Sequence, residues 1–287
     1  MEKLYGTGVA LVTPFTEEGL VDYDGLKSVL DFTAKGVDYY VVLGTTGEVA
    51  TTNREEKKAI LSFVKANNPK NLPIVYGIGG NNTAAVVEEI QQTDFSGVDA
   101  LLSVSPYYNK PSQPGIIAHF QKIADACPVP VVLYNVPGRT MSNMTAETTL
   151  ELAKHPNIIG IKEASGNLDQ CQKIATEKPA DFLLLSGEDM LTKDIVQMGG
   201  KGVISVLANG FPVEFSEIAR EAFKGNFDKA KQITDSFESI NPLMYAESNP
   251  VGVKEVLRQK GVCGNQVRLP LVPASEELKS QITRYLQ

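Results

Sequence analysis

The chain has 287 residues, 43% of them apolar, and a formal net charge of −7. That length suits one α/β barrel with a short addition, and the mild acidity, spread without a long like-charge run, argues against nucleic acid or a membrane surface as partner. No window holds the ~18 consecutive apolar residues of a membrane helix, the opening MEKLYGTGVALVTPF has no signal-peptide pattern, and Cys127, Cys171 and Cys263 are scattered and odd in number, so a cytoplasmic protein without disulfides is expected.

Short apolar runs at 8–14, 39–44, 73–77, 99–104, 129–136, 158–162, 182–186 and 202–207 read as strands. Amphipathic stretches with polar starts lie between and after them, at 22–35, 53–66, 83–92, 113–127, 145–155, 168–177, 191–198 and 213–223, and read as helices. In the first, Leu26, Val29, Leu30 and Phe32 fall close to a 3.6 period. The second opens on Asn53 with Glu56 three residues on, a capping-box start. Eight strand–helix repeats without a Gly-, Pro- or Ser-rich break predict an α/β fold, a closed (β/α)8 TIM barrel; periodicity does not show closure, so a doubly wound sheet stays open. Beyond the eighth repeat, 227–245, 251–260 and 275–286 read as helices with no further strand. The expected organisation is a catalytic barrel over 1–225 and a C-terminal helical region over 226–287.

In such a barrel the site lies at the C-terminal ends of the strands. Strand two ends in Gly44-Thr45-Thr46-Gly47-Glu48. Its glycines allow a tight turn whose N–H groups and hydroxyls suit a small carboxylate, though an ordinary turn reads the same way. Strand four runs into Ser105-Pro106-Tyr107-Tyr108-Asn109-Lys110-Pro111, two phenols held between prolines, fit to relay a proton or to pack at an oligomer contact. Strand five ends in Tyr134-Asn135-Val136-Pro137-Gly138-Arg139-Thr140, where Arg139 offers a planar fork to a carboxylate. Strand seven ends in Ser186-Gly187-Glu188-Asp189, an acidic pair with no second cluster to complete a cation site. His119 and His155, the only histidines, fall inside predicted helices and are expected at the surface or at helix ends, so no imidazole-ligated metal is expected. No phosphate-binding glycine loop follows strand eight, which weighs against pyridoxal phosphate and sugar-phosphate aldolases.

Strand six lies in NIIGIKEASG at 157–166 and sets Lys162 in a run otherwise fit for the inside of a parallel sheet. Burial disfavours the ammonium, and a neutral amine is a nucleophile toward carbonyls. The alternative is a strand-end lysine that snorkels to water or pairs with Glu163. To be half deprotonated at pH 7 the amine must fall ~3 units, about 4 kcal/mol, within the roughly 3–5 units that full burial supplies. A strand-borne lysine, a nearby tyrosine, a hydroxyl-lined cradle and an arginine fork together suit an imine-forming aldolase or lyase acting on an α-keto acid.

Five stretches taken in order, GTTGE at 44–48, SPYYNKPSQ at 105–113, LYNVPGRT at 133–140, GIKEASG at 160–166 and SGED at 186–189, resemble the dihydrodipicolinate synthase family of pyruvate-dependent aldolases. The likeness covers essentially the whole chain. It implies that Lys162 forms a Schiff base with pyruvate and that Tyr134, Thr45 and Tyr108 relay protons, Tyr108 reaching across a dimer interface. It further implies that the amides around Thr45 and Thr46, with the Thr46 hydroxyl, hold the pyruvate carboxylate, with the main chain at Ile204 and Gly187 helping to bind substrate. Arg139 would receive the carboxylate of the second substrate, L-aspartate 4-semialdehyde, and the product would enter lysine and diaminopimelate biosynthesis. No cofactor beyond the imine, and a homotetramer built as a dimer of dimers, are implied as well.

The rival within the superfamily, N-acetylneuraminate lyase, shares the lysine and the strand-five tyrosine. Its members usually read Gly-Ser-Thr-Gly-Glu where this chain has GTTGE, and lack an arginine matching Arg139. Many bacterial members of the synthase family bind lysine as a feedback inhibitor at the dimer interface. Here that region keeps Asn81 and Tyr107 but carries Val49, Arg54, Lys57 and Ala85, two cations and a lost carboxylate, which predicts weak or absent inhibition. A non-catalytic barrel that binds a keto acid, and a metal-dependent aldolase, are the readings from other classes.

Overall fold

Parallel strands buried on both faces need apolar side chains pointing both ways, and the computed structural model, which describes residues 2–287, shows two such layers. The strands are β1 (Gly6–Ala10), β2 (Tyr39–Val42), β3 (Ile74–Gly77), β4 (Ala100–Val104), β5 (Val131–Asn135), β6 (Ile158–Glu163), β7 (Leu183–Ser186) and β8 (Gly202–Ser205). Each pairs in parallel with the next, and β8 returns to β1 with Gly6 opposite Gly202, so the sheet closes. The fold is the expected TIM barrel; the doubly wound alternative is excluded. Predicted strand edges run long by a few residues, and β1 starts two residues earlier than expected.

Helices α1 (Tyr23–Thr33), α2 (Arg54–Ala66), α3 (Thr83–Gln91) and α4 (Gln113–Ala126) follow β1 to β4. After β5 come a short α5 (Pro137–Thr140), not anticipated, and α6 (Ala146–Leu152). Then α7 (Leu168–Glu177), α8 (Thr192–Gln197) and α9 (Pro212–Phe223) follow β6 to β8. Side chains of Asp22, Asn53, Asn82, Ser112, Thr145 and Asn167 accept N–H bonds at helix starts, satisfying donors the first turn leaves over. The Asn53–Glu56 box is complete, both bonds being 2.9 Å.

The barrel's inner layer includes Tyr39, Val41, Val75, Leu102, Leu185 and Ile204. The outer layer, between strands and helices, includes Tyr40, Val42, Leu133, Ile161 and Leu184. Strand β6 changes phase partway. Ile158 pairs with Val131, but the next pair is Gly160 with Val132, so Ile159 is an extra residue in the ladder. Such a bulge flips every later side chain to the other face. Ile158 and Ile161 accordingly both face the helices, although three residues apart, and Lys162 faces the barrel interior. Gly160 also lands inside, where a Cβ would stand 2.6 Å from Leu183 Cβ, and a glycine avoids that clash.

The segment expected as one helix over 227–245 is instead α10 (Phe227–Ser236) and a 3-10 turn at Asn241–Met244. Pro242 has no N–H to donate and pushes the preceding Asn241 away from α geometry. Two more helices, α11 (Val251–Gln259) and α12 (Glu276–Leu286), end the chain. Aromatic edges dock this region, Phe237 lying 5.5 Å from Phe211 and 5.7 Å from Phe215, and Tyr285 5.8 Å from Phe211. The expectation for His119 is corrected: it is buried, with Nδ1 2.8 Å from Thr83 Oγ1, because its side of α4 faces α3. His155 does lie just past the end of a helix, α6, accepting from Asn157 N at 3.1 Å. Cys127, Cys171 and Cys263 are free thiols. Among the described residues, no helix is long and apolar enough to cross a membrane.

Candidate active site

Lys162 sits 5% exposed near the C-terminal end of β6. Its register partner on β5 is Tyr134, and its Nζ lies 4.3 Å from the centroid of that ring. The bland alternatives for this lysine fail on geometry. It does not reach water freely, and Glu163, one residue on, points to the opposite face as strand alternation requires. The Glu163 carboxylate accepts from Ser165 N at 2.7 Å and Gln170 Nε2 at 2.8 Å, and Asn135 Nδ2 stands 3.1 and 3.0 Å from its two oxygens. Burial lifts this carboxyl above its ordinary range, and those donors pull it back. Since Asn135 and Glu163 are themselves register partners, the polar clamp on the outer face holds the Tyr134–Lys162 pair on the inner one.

The chain after β2 makes a 3-10 turn at Thr45–Gly47, between Leu43 and Glu48, both in left-handed backbone with φ of 57° and 55°. The first N–H groups of such a turn, here those of Thr45 and Thr46, have no partner within it. Thr46 is buried, and its Oγ1 accepts from Asn249 Nδ2 at 3.0 Å. After β5, the four-residue α5 carries Arg139, exposed on the rim. A cleft of about 50 Å³ is lined by Thr45, Thr46, Tyr134, Lys162, Arg139 and Gly187 together. A wider one of about 450 Å³ shares Thr45, Tyr134 and Arg139 and runs out past Val49, Lys57 and Tyr107. Six of the eight expected site residues therefore converge.

Two do not. Ile204 is 1% exposed and packs in the inner barrel layer, while Val206, two residues on, lines the cleft. Tyr108 is 87% exposed, with φ of 72°, and points away from the pocket of its own chain; Tyr107 lines the wider cleft instead. The acidic pair after β7 is likewise committed elsewhere. Asp189 accepts from Val206 N at 3.2 Å and Leu207 N at 2.8 Å, tying the ends of β7 and β8 together. Burial raises the Glu188 carboxyl, with Asp189 adding to the rise and Lys162 and Arg139 opposing it. Among the described residues, no three His, Cys, Asp or Glu side chains converge as a metal site.

Tyr245 and Asn249, which line the small cleft from the C-terminal region, escape sequence reasoning. The only local signal there is an Asn-Pro turn at 249–250, which marks a bend but says nothing of what it faces. The electrostatics near Lys57 also differ from expectation. It is not a free cation, since its Nζ lies 2.9 Å from Glu89 Oε1 on α3.

The family model of the dihydrodipicolinate synthetase family matches residues 3–287. The 4-hydroxy-tetrahydrodipicolinate synthase of Cytophaga hutchinsonii is 51% identical over 283 residues, 98% of this chain and 95% of the relative. That of Flavobacterium psychrophilum is 48% identical over 284 residues, covering 98% and 97%. Among solved structures, the chloride-inhibited dihydrodipicolinate synthase of Acinetobacter baumannii, complexed with pyruvate, superposes with a TM-score of 0.95 at 34% identity, over 99% of this chain and 98% of that one. From end to end, then, in sequence and in barrel geometry alike, the chain belongs to the dihydrodipicolinate synthetase family of lyase-type synthases.

Proposed function

We propose that the chain works as a 4-hydroxy-tetrahydrodipicolinate synthase through an imine on Lys162, at the start of the diaminopimelate and lysine route. The observation that carries this is the buried Lys162 facing Tyr134 beside the Thr45–Gly47 turn. The neutral amine attacks the keto carbon of pyruvate, and loss of water leaves an imine. Pyruvate's carboxylate sits on the N–H groups of Thr45 and Thr46 and on the Thr46 hydroxyl, with the Ile204 main chain and Gly187 at the edges of the site. Tyr134, with Thr45, moves the protons that imine formation and the following loss of a methyl proton require. The resulting enamine attacks the aldehyde carbon of L-aspartate 4-semialdehyde, whose carboxylate Arg139 receives as a bidentate fork. The amino group of the adduct then attacks the imine carbon, which closes the ring and frees Lys162.

No external cofactor enters this scheme, and activity should survive a chelator. Tyr108 takes part in the relay only from a neighbouring subunit, and its 87% exposure on a single chain supports that assignment. A homotetramer made of such dimers, in the cytoplasm, completes the reading. In it, residues 1–225 supply the reacting groups and residues 226–287 close the site from one side.

The test is borohydride reduction in the presence of pyruvate, followed by peptide mapping. A pyruvate-derived mass on the peptide holding Lys162 is expected; no adduct, or one on another lysine, overturns the mechanism. Comparing L-aspartate 4-semialdehyde with N-acetylmannosamine as acceptor then decides the substrate, and turnover of the semialdehyde is expected.

A further inference from the structure

Glu48 has two features that the imine chemistry leaves unused. Its backbone is left-handed, φ 55°, and its side chain is only 2% exposed. A residue with a Cβ holds such a conformation at a cost, and only where its surroundings over-determine it. Here the surroundings come from the far end of the chain. Lys254, on α11 and wholly buried, places Nζ 2.5 Å from Glu48 Oε1, and Arg268 N donates to Oε2 at 3.0 Å. The ammonium is itself pinned, donating to Gln266 O at 2.7 Å and lying 4.3 Å from the Phe15 ring centroid.

The same C-terminal stretch grips the chain further along. The Arg268 guanidinium bonds Glu56 through two nitrogens, at 2.8 and 2.5 Å, and donates to Thr51 O at 2.9 Å. Glu48 is nevertheless the point where the grip meets the site. Its own N–H closes the Thr45–Gly47 turn by donating to Thr45 O at 3.0 Å, so any shift of Glu48 moves that turn directly. Lys254 itself lines neither cleft.

We infer that Lys254, acting through Glu48, is a positioning residue for the substrate carboxylate: the buried pair sets the backbone of the Thr45–Gly47 turn, so that its free N–H groups are aimed before substrate arrives. This rests on the reading of that turn as the pyruvate cradle. The site's precision toward the smaller substrate then comes from outside the barrel, from a helix more than 200 residues away in sequence whose pairing with Glu48 spans 206 positions. Its consequence is selective. Loss of the pair loosens the hold on pyruvate, and leaves the Lys162 amine and the Arg139 fork in place.

Removing Lys254 alone strands a buried carboxylate and is expected to cost the fold, whereas a neutral pair of similar volume is tolerated. The decisive variant is therefore Glu48→Gln with Lys254→Met, with Glu48→Gln alone as the milder companion and Thr46→Ala as the control on the cradle itself. Circular dichroism confirms folding, and steady-state kinetics with each substrate varied gives the readout. The double variant is expected to raise KM for pyruvate about 10-fold, with kcat at saturating pyruvate and KM for the semialdehyde within about threefold of the parent. The single variant should fall between, and borohydride should still label Lys162 in both. If Thr46→Ala raises KM for pyruvate and the folded charge-pair variants do not, Lys254 is only a structural staple and the inference is wrong. If Thr46→Ala leaves it unchanged, the cradle reading fails first and takes the inference with it.

Discussion

Tyr134 and Lys162 face each other directly across β5 and β6, with the lysine Nζ 4.3 Å from the centroid of the tyrosine ring. The ring shields the amine from solvent on one side and keeps a phenol close to the atom that must exchange protons. The pair is fixed from behind, because Asn135 and Glu163, the next partners along the same ladder, are joined on the outer face.

Tyr134→Phe retains the shielding ring and loses only the hydroxyl. Turnover should fall by about 100-fold or more. The Lys162 adduct should still form, but slowly, as followed by quenched-flow mass spectrometry. An adduct forming at the parental rate would remove Tyr134 from the relay.

Arg139→Ala should leave pyruvate trapping intact and raise KM for the semialdehyde by about 10–100-fold, the worth of a lost charged hydrogen bond. Equal effects on both substrates would argue against an acceptor clamp.

The Asn135–Glu163 clamp is open to a stability measurement. Asn135→Leu takes one donor from a buried carboxylate, so urea denaturation should show a loss of about 2–3 kcal/mol. Asn135→Asp, which sets two carboxylates face to face, should cost more. A leucine variant as stable as the parent would show that the clamp does not hold the register.

His119 gives a pH dependence of known sign. Burial lowers its pKa from 6.5 to about 4. As pH falls below 6.5 the unfolded chain takes up a proton that the folded protein refuses until about 4, so stability drops across that window. A shift of that size corresponds to about 3 kcal/mol. In His119→Gln the difference in unfolding free energy between pH 7 and pH 4.5 should shrink by about 2–3 kcal/mol relative to the parent; an unchanged difference would mean the imidazole titrates normally.

Feedback by lysine should be weak or absent. Val49 and Lys57 line the wide cleft, Arg54 lies in the adjoining groove between α2 and α3, and Ala85 brings no carboxylate. Glu89 is already paired with Lys57, so it offers little to an incoming ammonium. Strong inhibition by sub-millimolar lysine in a coupled assay would overturn this.

The sequence by itself determined the number and order of the strands, most helix starts, and the motifs at the strand ends. All of these are local: Asn53 and Glu56 cap the helix they open, and Gly44 to Glu48 turn where they stand. Which way Lys162 faces was beyond it. A strand apolar on both sides carries no alternation to read, and counting in twos from Ile158 would turn Lys162 outward toward the helices. The bulge at Ile159, visible only once β5 and β6 are paired, turns it inward. The same limit explains Asn249 on Thr46, Lys254 on Glu48, the burial of His119, and the outward turn of Tyr108. Each depends on surfaces that meet only after the barrel has closed, so the tertiary structure decided how the legible motifs are aimed and held.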